Sequence, residues 1–372
     1  MDIPLRHTVS LMERVIAEGP EVQNHGHSSR HHHMARKKRV LVIVAAIFWV
    51  LLLAAVAFLP GKLGAPKEET VDRVGRGAEL FDNAMRYQDG EETYVYREND
   101  LTTVLLIGVD RPEMNKKAEL TYRNGSQADF LVLLVIDRVQ KKVTPIQIDR
   151  DTMTKVDVYG VFGNPAGNRV MQLCLAQGFG RSAEENCRNT MTAVSSLMLG
   201  IPVDHYFAYD FQSIGVMNDL LGGVPVTIED DLSNLDPAMV KGAEITLMGS
   251  QAETFVRARM SVGNGTNAER MIRQRVYMDS ALNRLRILTR DNSSVVSDIL
   301  TALSDCSVTD MTDGYVINTV NRCLTYKQVP FVSAEGVHTH GEDGFTEFYP
   351  EESSLKKIVL DACFEKEAGT SL

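Results

Sequence analysis

Apolar residues recur along this chain in three different rhythms. The first is unbroken: the twenty residues Val40 to Leu59 read VLVIVAAIFWVLLLAAVAFL, without a charge, a Gly or a Pro. At about 1.5 Å of rise per residue such a helix is about 30 Å long, the hydrocarbon thickness of a bilayer. The stretch has no polar face, so it predicts a membrane-spanning helix rather than a buried core helix. The second rhythm is short blocks rich in Val, Ile and Leu: Thr103 to Val109 (TVLLIGV), Phe130 to Ile136 (FLVLLVI) and Val143 to Ile148 (VTPIQI). These predict buried strands, and the polar turn Asp137 to Lys142 makes the second and third a hairpin. Weaker strand candidates are Tyr206–Tyr209, Val224–Ile228, Thr254–Met260 and Gln328–Val332. The third rhythm is helical spacing, over 184–199, over 268–290, near Ser353–Phe364, and briefly around Val74, Leu80, Phe81 and Met85. Strands mixed with helices predict an α/β domain over 101–290. A polar stalk, 60–100, precedes it, and 291–372 is expected to pack against its sheet.

Composition narrows the class. A chain of 372 residues, 44% hydrophobic and 24% charged, is neither disordered, collagenous nor a disulfide-dense miniprotein. Its net charge of −10 argues against nucleic acid as the main partner. The charge is uneven, however. Residues 1–39 carry 7 basic and 4 acidic side chains, ending in Arg36, Lys37, Lys38 and Arg39 against the apolar stretch. Basic flanks stay in the cytoplasm, so 1–39 reads as a cytoplasmic arm, 40–59 as the single span of the cell membrane, and everything after Leu59 as extracellular. A cleaved leader is the competing reading, but the arm and the apolar stretch are both long for one. Six of the nine histidines lie in the arm, where no regular element would hold them on a metal, so a solvated tail is expected. Subtracting the arm's +3 from −10 leaves −13 beyond the span. An anionic ligand there needs a local basic cluster. Of the five cysteines, spacing permits Cys174–Cys187 and Cys306–Cys323 bridges with Cys363 free; buried thiols are the alternative.

Candidate chemistry gathers at strand ends. Asp110 closes the first strand, Asp129 opens the second, and Arg150 and Asp151 end the third. In a hairpin the start of one strand lies beside the end of the other, so Asp129 and Arg150 become neighbours; an antiparallel first strand adds Asp110. Two close carboxylates repel unless a cation sits between them, and Mg²⁺, completed by water and phosphate oxygens, suits so small a donor set. The competing reading is that these are solubilising strand-end charges. Arg257 and Arg259, two apart, would share one face of a strand. Arg270, Arg273 and Gln274 would share a helix face. Guanidinium forks match phosphate oxygens, and several together suit a diphosphate.

The succession IGVD, an Asp before an apolar strand, DRDT, IPVDHY, LGGVPV, VRAR and ERMIRQR resembles the LytR–CpsA–Psr family over about residues 101–290. The resemblance implies an α/β/α fold with a central mixed sheet and an apolar channel for a polyprenyl tail. It implies an Mg²⁺-dependent phosphotransferase that moves a glycopolymer, such as wall teichoic acid or capsular polysaccharide, from undecaprenyl diphosphate to peptidoglycan. Asp110 and Asp129 fall on the family's Mg²⁺ ligands and, with Arg150, on its catalytic set. Arg257, Arg259, Arg270 and Gln274 fall on its diphosphate-binding positions. Two residues depart from the pattern. Gln127 stands where the family usually has Arg, offering phosphate a hydrogen bond without charge. Asn267 stands where it usually has Asp and cannot act as a base. A weakened enzyme is one consequence; a non-catalytic polyprenyl-phosphate binding or sensing protein is the alternative. The family's older label is transcriptional attenuator, but the arm has no helix-turn-helix for DNA, nor does the chain carry a GxxxxGK[ST] nucleotide loop.

Overall fold

The computed structural model describes residues 85–110, 126–160, 163–259, 262 and 265–367; the arm, the span and the first part of the stalk lie outside them. Among the described residues no helix is long and apolar enough to cross a membrane. The first elements are strands. Arg86–Asp89 (β1) and Glu92–Tyr96 (β2) pair antiparallel, and the C-terminal strand Phe364–Lys366 (β15) adds to β2. The helix expected around Met85 is therefore a hairpin from Arg86 onward. Tyr87, Tyr94 and Tyr96 favour extended backbone, and Tyr96 meets Phe364 edge-on at 5.5 Å between centroids. Val74, Leu80 and Phe81 lie outside the described residues.

Among the described residues six strands make the central sheet. Leu101–Val109 (β3) and Ala128–Asp137 (β4) lie at its middle, with Lys142–Gln147 (β5) antiparallel to β4 as the hairpin reading expects. His205–Asp210 (β8) runs parallel to β3, Ser307–Thr309 (β11) closes one edge beside β8, and Lys327–Gln328 (β12) lies parallel to β5 at the other. The sheet is mixed. The region 291–372 thus supplies both edge strands. Of the strand expected over Gln328–Val332 only Gln328 is in strand: the Val329 N–H still reaches the Val143 carbonyl at 3.2 Å, Pro330 has no N–H to donate, and Val332 makes an isolated bridge to Ile146. At the β4–β5 turn Asp137 Oδ1 accepts the N–H groups of Val139 and Gln140 at 3.0 and 2.7 Å. Its Oδ2 is bound by buried Arg97 at 2.5 Å, whose other arm donates to the Ala362 carbonyl. Burial works against the Asp137 charge, but those backbone donors and Arg97 together hold its carboxyl below the usual range.

Side chains alternate across this sheet. Leu105, Ile107 and Val109 of β3 and Leu131, Leu133 and Val135 of β4 face one core with Met191 and Val194 of Ala183–Leu197 (α1) and Val359 and Cys363 of Glu352–Cys363 (α7). On the other side lie Gln212–Leu220 (α2), Ser250–Arg257 (α3) and Asn267–Asp291 (α4), packed with the hairpin Val224–Thr227 (β9) and Glu244–Leu247 (β10) around Leu221, Val224, Phe255 and Tyr277. Gly222 and Gly223, at φ +71° and +86°, turn the chain from α2 into β9. Thr254–Met260, expected as a strand, is helical through Arg257. Alternation of Val256, Arg257 and Ala258 suits a strand, but Ala252, Phe255 and Val256 bury the i, i+3, i+4 stripe of a helix, and short runs fit both. Val295–Ala302 (α5) and Asp313–Leu324 (α6) lead to β11 and β12. Two hairpins remain, Met153–Tyr159 (β6) with Pro165–Gln172 (β7), and Gly336–His340 (β13) with Thr346–Pro350 (β14). All five cysteines are free thiols, and four are buried.

Candidate active site

The β3–β4 register places Val109 opposite Ala128, and Ile148 beyond β5 still donates its N–H to Leu131 at 2.9 Å. Three strand ends therefore meet. Asp110 Oδ1 accepts the Gln127 N–H at 2.9 Å. Arg150 grips Asp129 Oδ1 with one arm and Gln127 Oε1 with the other, the latter arm also 3.1 Å from Cys174 Sγ. Arg150 Nε lies 3.3 Å from Asp151. Burial raises the Asp110 carboxyl, and the nearby Asp129 charge adds to that against the Gln127 N–H. Burial also raises Asp151 and pushes the Cys174 thiol up to about 11, so this sulfur is a neutral neighbour of Arg150.

From α4, Arg270 reaches Asp129 Oδ2 at 3.6 Å. Its Nε and Nη2 both donate to Asn267 Oδ1, at 3.0 and 2.7 Å, while Asn267 Nδ2 donates to Asp149 Oδ1 at 2.6 Å. Gln274 accepts from Gln147 at 3.2 Å. Arg273 shares the buried side of α4 but turns away to Asp230, at 2.9 Å, and the Ala258 carbonyl. The strand-face pairing expected of Arg257 and Arg259 does not form, because Arg257 ends a helix and the chain leaves it at Ala258 before Arg259. Arg257 pairs with Glu253 at 2.5 Å and covers the Phe211 ring at 4.6 Å. Arg259 lies 3.7 Å from Asp151.

A cavity of about 600 Å³, its open mouth included, lies between the sheet and α2–α4. Asp110, Asp129, Arg257, Arg270 and Gln274 line one part of it; Phe130, Tyr209, Phe211, Ile214, Met217 and Tyr277 give it apolar walls. Gly108 belongs to this wall because a Cβ there would stand 2.8 Å from the Phe130 Cβ. Among the sequence-derived candidates, Arg150 joins the cavity through Asp129, while Gln127 and Arg259 stand behind it on Arg150 and Asp151. The Asp110 and Asp129 carboxylates are a donor set compatible with Mg²⁺: the Asp129 charge is among the causes that raise the Asp110 carboxyl, and that ion takes one or two protein carboxylates beside water and phosphate oxygens. Among the described residues no group of three or more acidic, His or Cys side chains offers a fuller cage. Sequence reasoning passed over Asp149 and His338, whose Nε2 lies 2.9 Å from Asp149 Oδ2. Asp149 was detectable as a charge between inward-facing Ile148 and Arg150; His338, from a distant hairpin, left no signal.

Known proteins resemble this chain. The cell wall biosynthesis protein LcpA of Corynebacterium glutamicum is 27% identical over 327 residues, covering 79% of this chain and 61% of that protein. The polyisoprenyl-teichoic acid–peptidoglycan teichoic acid transferase TagV of Bacillus subtilis is 22% identical over 242 residues, 62% of this chain and 58% of that protein. The chain thus spans about three-fifths of the length of these curated relatives. A solved structure of TagT, also from Bacillus subtilis, bound to LI-WTA, aligns with a TM-score of 0.54 at 19% identity, covering 71% of this chain and 90% of that one, a likeness of fold. Residues 75–361, well over half of the sequence, match the LytR_cpsA_psr family model, and the chain belongs to that family.

Proposed function

We propose that this chain is a phosphotransferase that moves an anionic glycopolymer from an undecaprenyl diphosphate carrier to peptidoglycan, on the outer face of the cell membrane to which residues 40–59 anchor it. One observation carries this reading: an apolar-walled cavity whose charged part gathers Arg257, Arg270 and Gln274 beside Asp110 and Asp129. A greasy chain ending in a diphosphate has that polarity. Family membership, and the transferase activity that the name of TagV states for that relative, support the same reading.

Arg257, Arg270 and Gln274 hold the diphosphate. Arg150, braced by Asp129 and Gln127, meets the charge that builds on the phosphoryl oxygens in the transition state. A hydroxyl oxygen of peptidoglycan bonds to the sugar-side phosphorus as the bridging P–O bond breaks; lipid monophosphate departs with the bridging oxygen and the hydroxyl proton passes to solvent. The diphosphate linkage is itself energy-rich, so no nucleotide is consumed. Asp110 and Asp129 would hold Mg²⁺, which supplies further neutralisation of phosphate oxygens. A second reading, polyprenyl-phosphate sensing without turnover, draws on Gln127, which occupies an arm of Arg150 without adding charge.

The test is transfer of labelled glycopolymer from its undecaprenyl diphosphate to peptidoglycan fragments by the purified full chain. Transfer that EDTA abolishes and Mg²⁺ restores is expected. Turnover persisting in EDTA removes the metal from the proposal, and carrier binding without turnover favours the sensing role.

A further inference from the structure

A second concavity, of about 1020 Å³ with its open mouth, lies across α4 from the first. Arg270, Gln274 and Tyr277 of that helix face the first cavity, whereas Ala268, Met271 and Arg275 face the second. Its far wall is the β13–β14 hairpin. This hairpin is tied to residues on either side of Arg150. The Phe348 N–H donates to the Asp151 carbonyl at 2.8 Å, Thr152 bridges Phe348, and His338 bonds Asp149.

From His338 a chain of hydrogen bonds runs into the candidate site: His338 Nε2 to Asp149 Oδ2, Asn267 Nδ2 to Asp149 Oδ1, and Arg270 Nε and Nη2 to Asn267 Oδ1. Asp149, Asn267 and Arg270 are 6%, 3% and 5% exposed, so water is kept from the chain inward of His338, whose own side chain is 36% exposed. A carboxylate only accepts and a guanidinium only donates, so the amide between them has one orientation. That orientation leaves Nη1 as the Arg270 arm turned toward Asp129. A carboxylate at 267 would instead meet the Asp149 oxygen at the 2.6 Å now spanned by the amide's hydrogen bond.

We propose that His338 and Asp149 are positioning residues for the diphosphate-binding guanidinium of Arg270, acting through the Asn267 amide. The proposal rests on the function proposed above. His338 fixes the Asp149 carboxylate, the carboxylate fixes the amide, and the amide presents Arg270. The C-terminal hairpin therefore sets the grip on the diphosphate without touching it.

Geranyl diphosphate and geranyl monophosphate are the probes, titrated into the full chain by calorimetry, with thermal unfolding recorded for each variant. Asn267→Asp should weaken diphosphate binding about tenfold, the scale of one hydrogen bond to a charged group in a buried site. Adding Asp149→Asn should restore it. The exchange puts the amide at position 149, where it donates to the carboxylate at position 267, and that carboxylate still accepts from Arg270. His338→Phe keeps the ring contact with Phe348, at 4.6 Å between centroids, but loses the donor, and should narrow the preference for diphosphate over monophosphate. His338→Gln should retain that preference. Lost binding with no rescue in the double variant, or an unchanged preference in His338→Phe, overturns the proposal. If the unaltered chain binds neither probe, the proposed function falls and this inference with it.

Discussion

The Arg150 guanidinium meets Asp129, Gln127, Cys174 and Asp151 together. A planar fork with five donors can serve several acceptors at fixed angles, whereas an ammonium is a point charge on a flexible stem. Arg150→Ala should lower transfer on the order of 10²–10³-fold, as losing one transition-state donor does, and Arg150→Lys should recover little of it. Circular dichroism should show both variants folded, and wild-type transfer by Arg150→Ala would remove the residue from the mechanism. Asp110 carries the opposite lesson. Its folded carboxyl is raised, mainly by burial, so the native state holds its proton to higher pH than the unfolded chain and the ionised group costs stability at neutral pH. Asp110→Asn should therefore unfold at a higher temperature than the unaltered chain at pH 7, the gap closing as pH falls through the raised value, while transfer is lost. A lower melting temperature at pH 7 would contradict this. The meeting of Asp110, Asp129 and Arg150 is legible in the chain because hairpin register alone juxtaposes them. The Asp149–His338 pair is not, since 189 residues separate its members and no periodicity links them.

At the level of elements, the interior strands declare themselves through continuous apolar runs, which only a sheet covered on both faces can bury. α3 does not, because its few residues carry too little of a period to tell a helix from a strand, and packing of Phe255 against Tyr277 and Leu221 decides. The cavity depends on one such packing detail. Gly108 lets β3 pass close to Phe130, and Gly108→Ala forces a methyl within 2.8 Å of its Cβ. Overpacking of that kind costs about 1–3 kcal/mol, and the displaced Phe130 ring narrows the cavity. Geranyl diphosphate should bind more weakly, with inorganic pyrophosphate little affected; equal loss for both would place the damage at the arginines instead. The Arg97–Asp137 pair makes a separate prediction, because it joins the end of β2 to the β4–β5 turn and to α7. Arg97→Ala strands a buried carboxylate, which should cost about 3–5 kcal/mol in urea unfolding. The folded Asp137 carboxyl lies below its usual value, so the pair's contribution is complete above the unfolded pKa and declines as pH falls through the folded one.

Across the whole molecule, charge and hydrophobicity are divided along the chain so that location and chemistry constrain each other. The residues beyond the span carry −13, and a bilayer surface rich in anionic lipid repels such a domain. A carrier embedded in that bilayer would then be met rarely, unless the domain is tethered at high effective concentration. Residues 40–59 supply the tether in the proposed topology, and Arg36 to Arg39 set its direction, since basic flanks resist translocation. Replacing those four basic residues with serine should leave the span able to insert but no longer oriented. In intact cells, protease added outside should digest the domain of the unaltered chain completely while sparing an epitope in 1–39. In the serine variant a protected fraction of the domain should appear, and transfer should fall by that same fraction, because a site facing the cytoplasm has no peptidoglycan to accept the polymer. Full protection of the unaltered domain would reverse the topology and, with it, the supply of acceptor on which the proposed reaction depends.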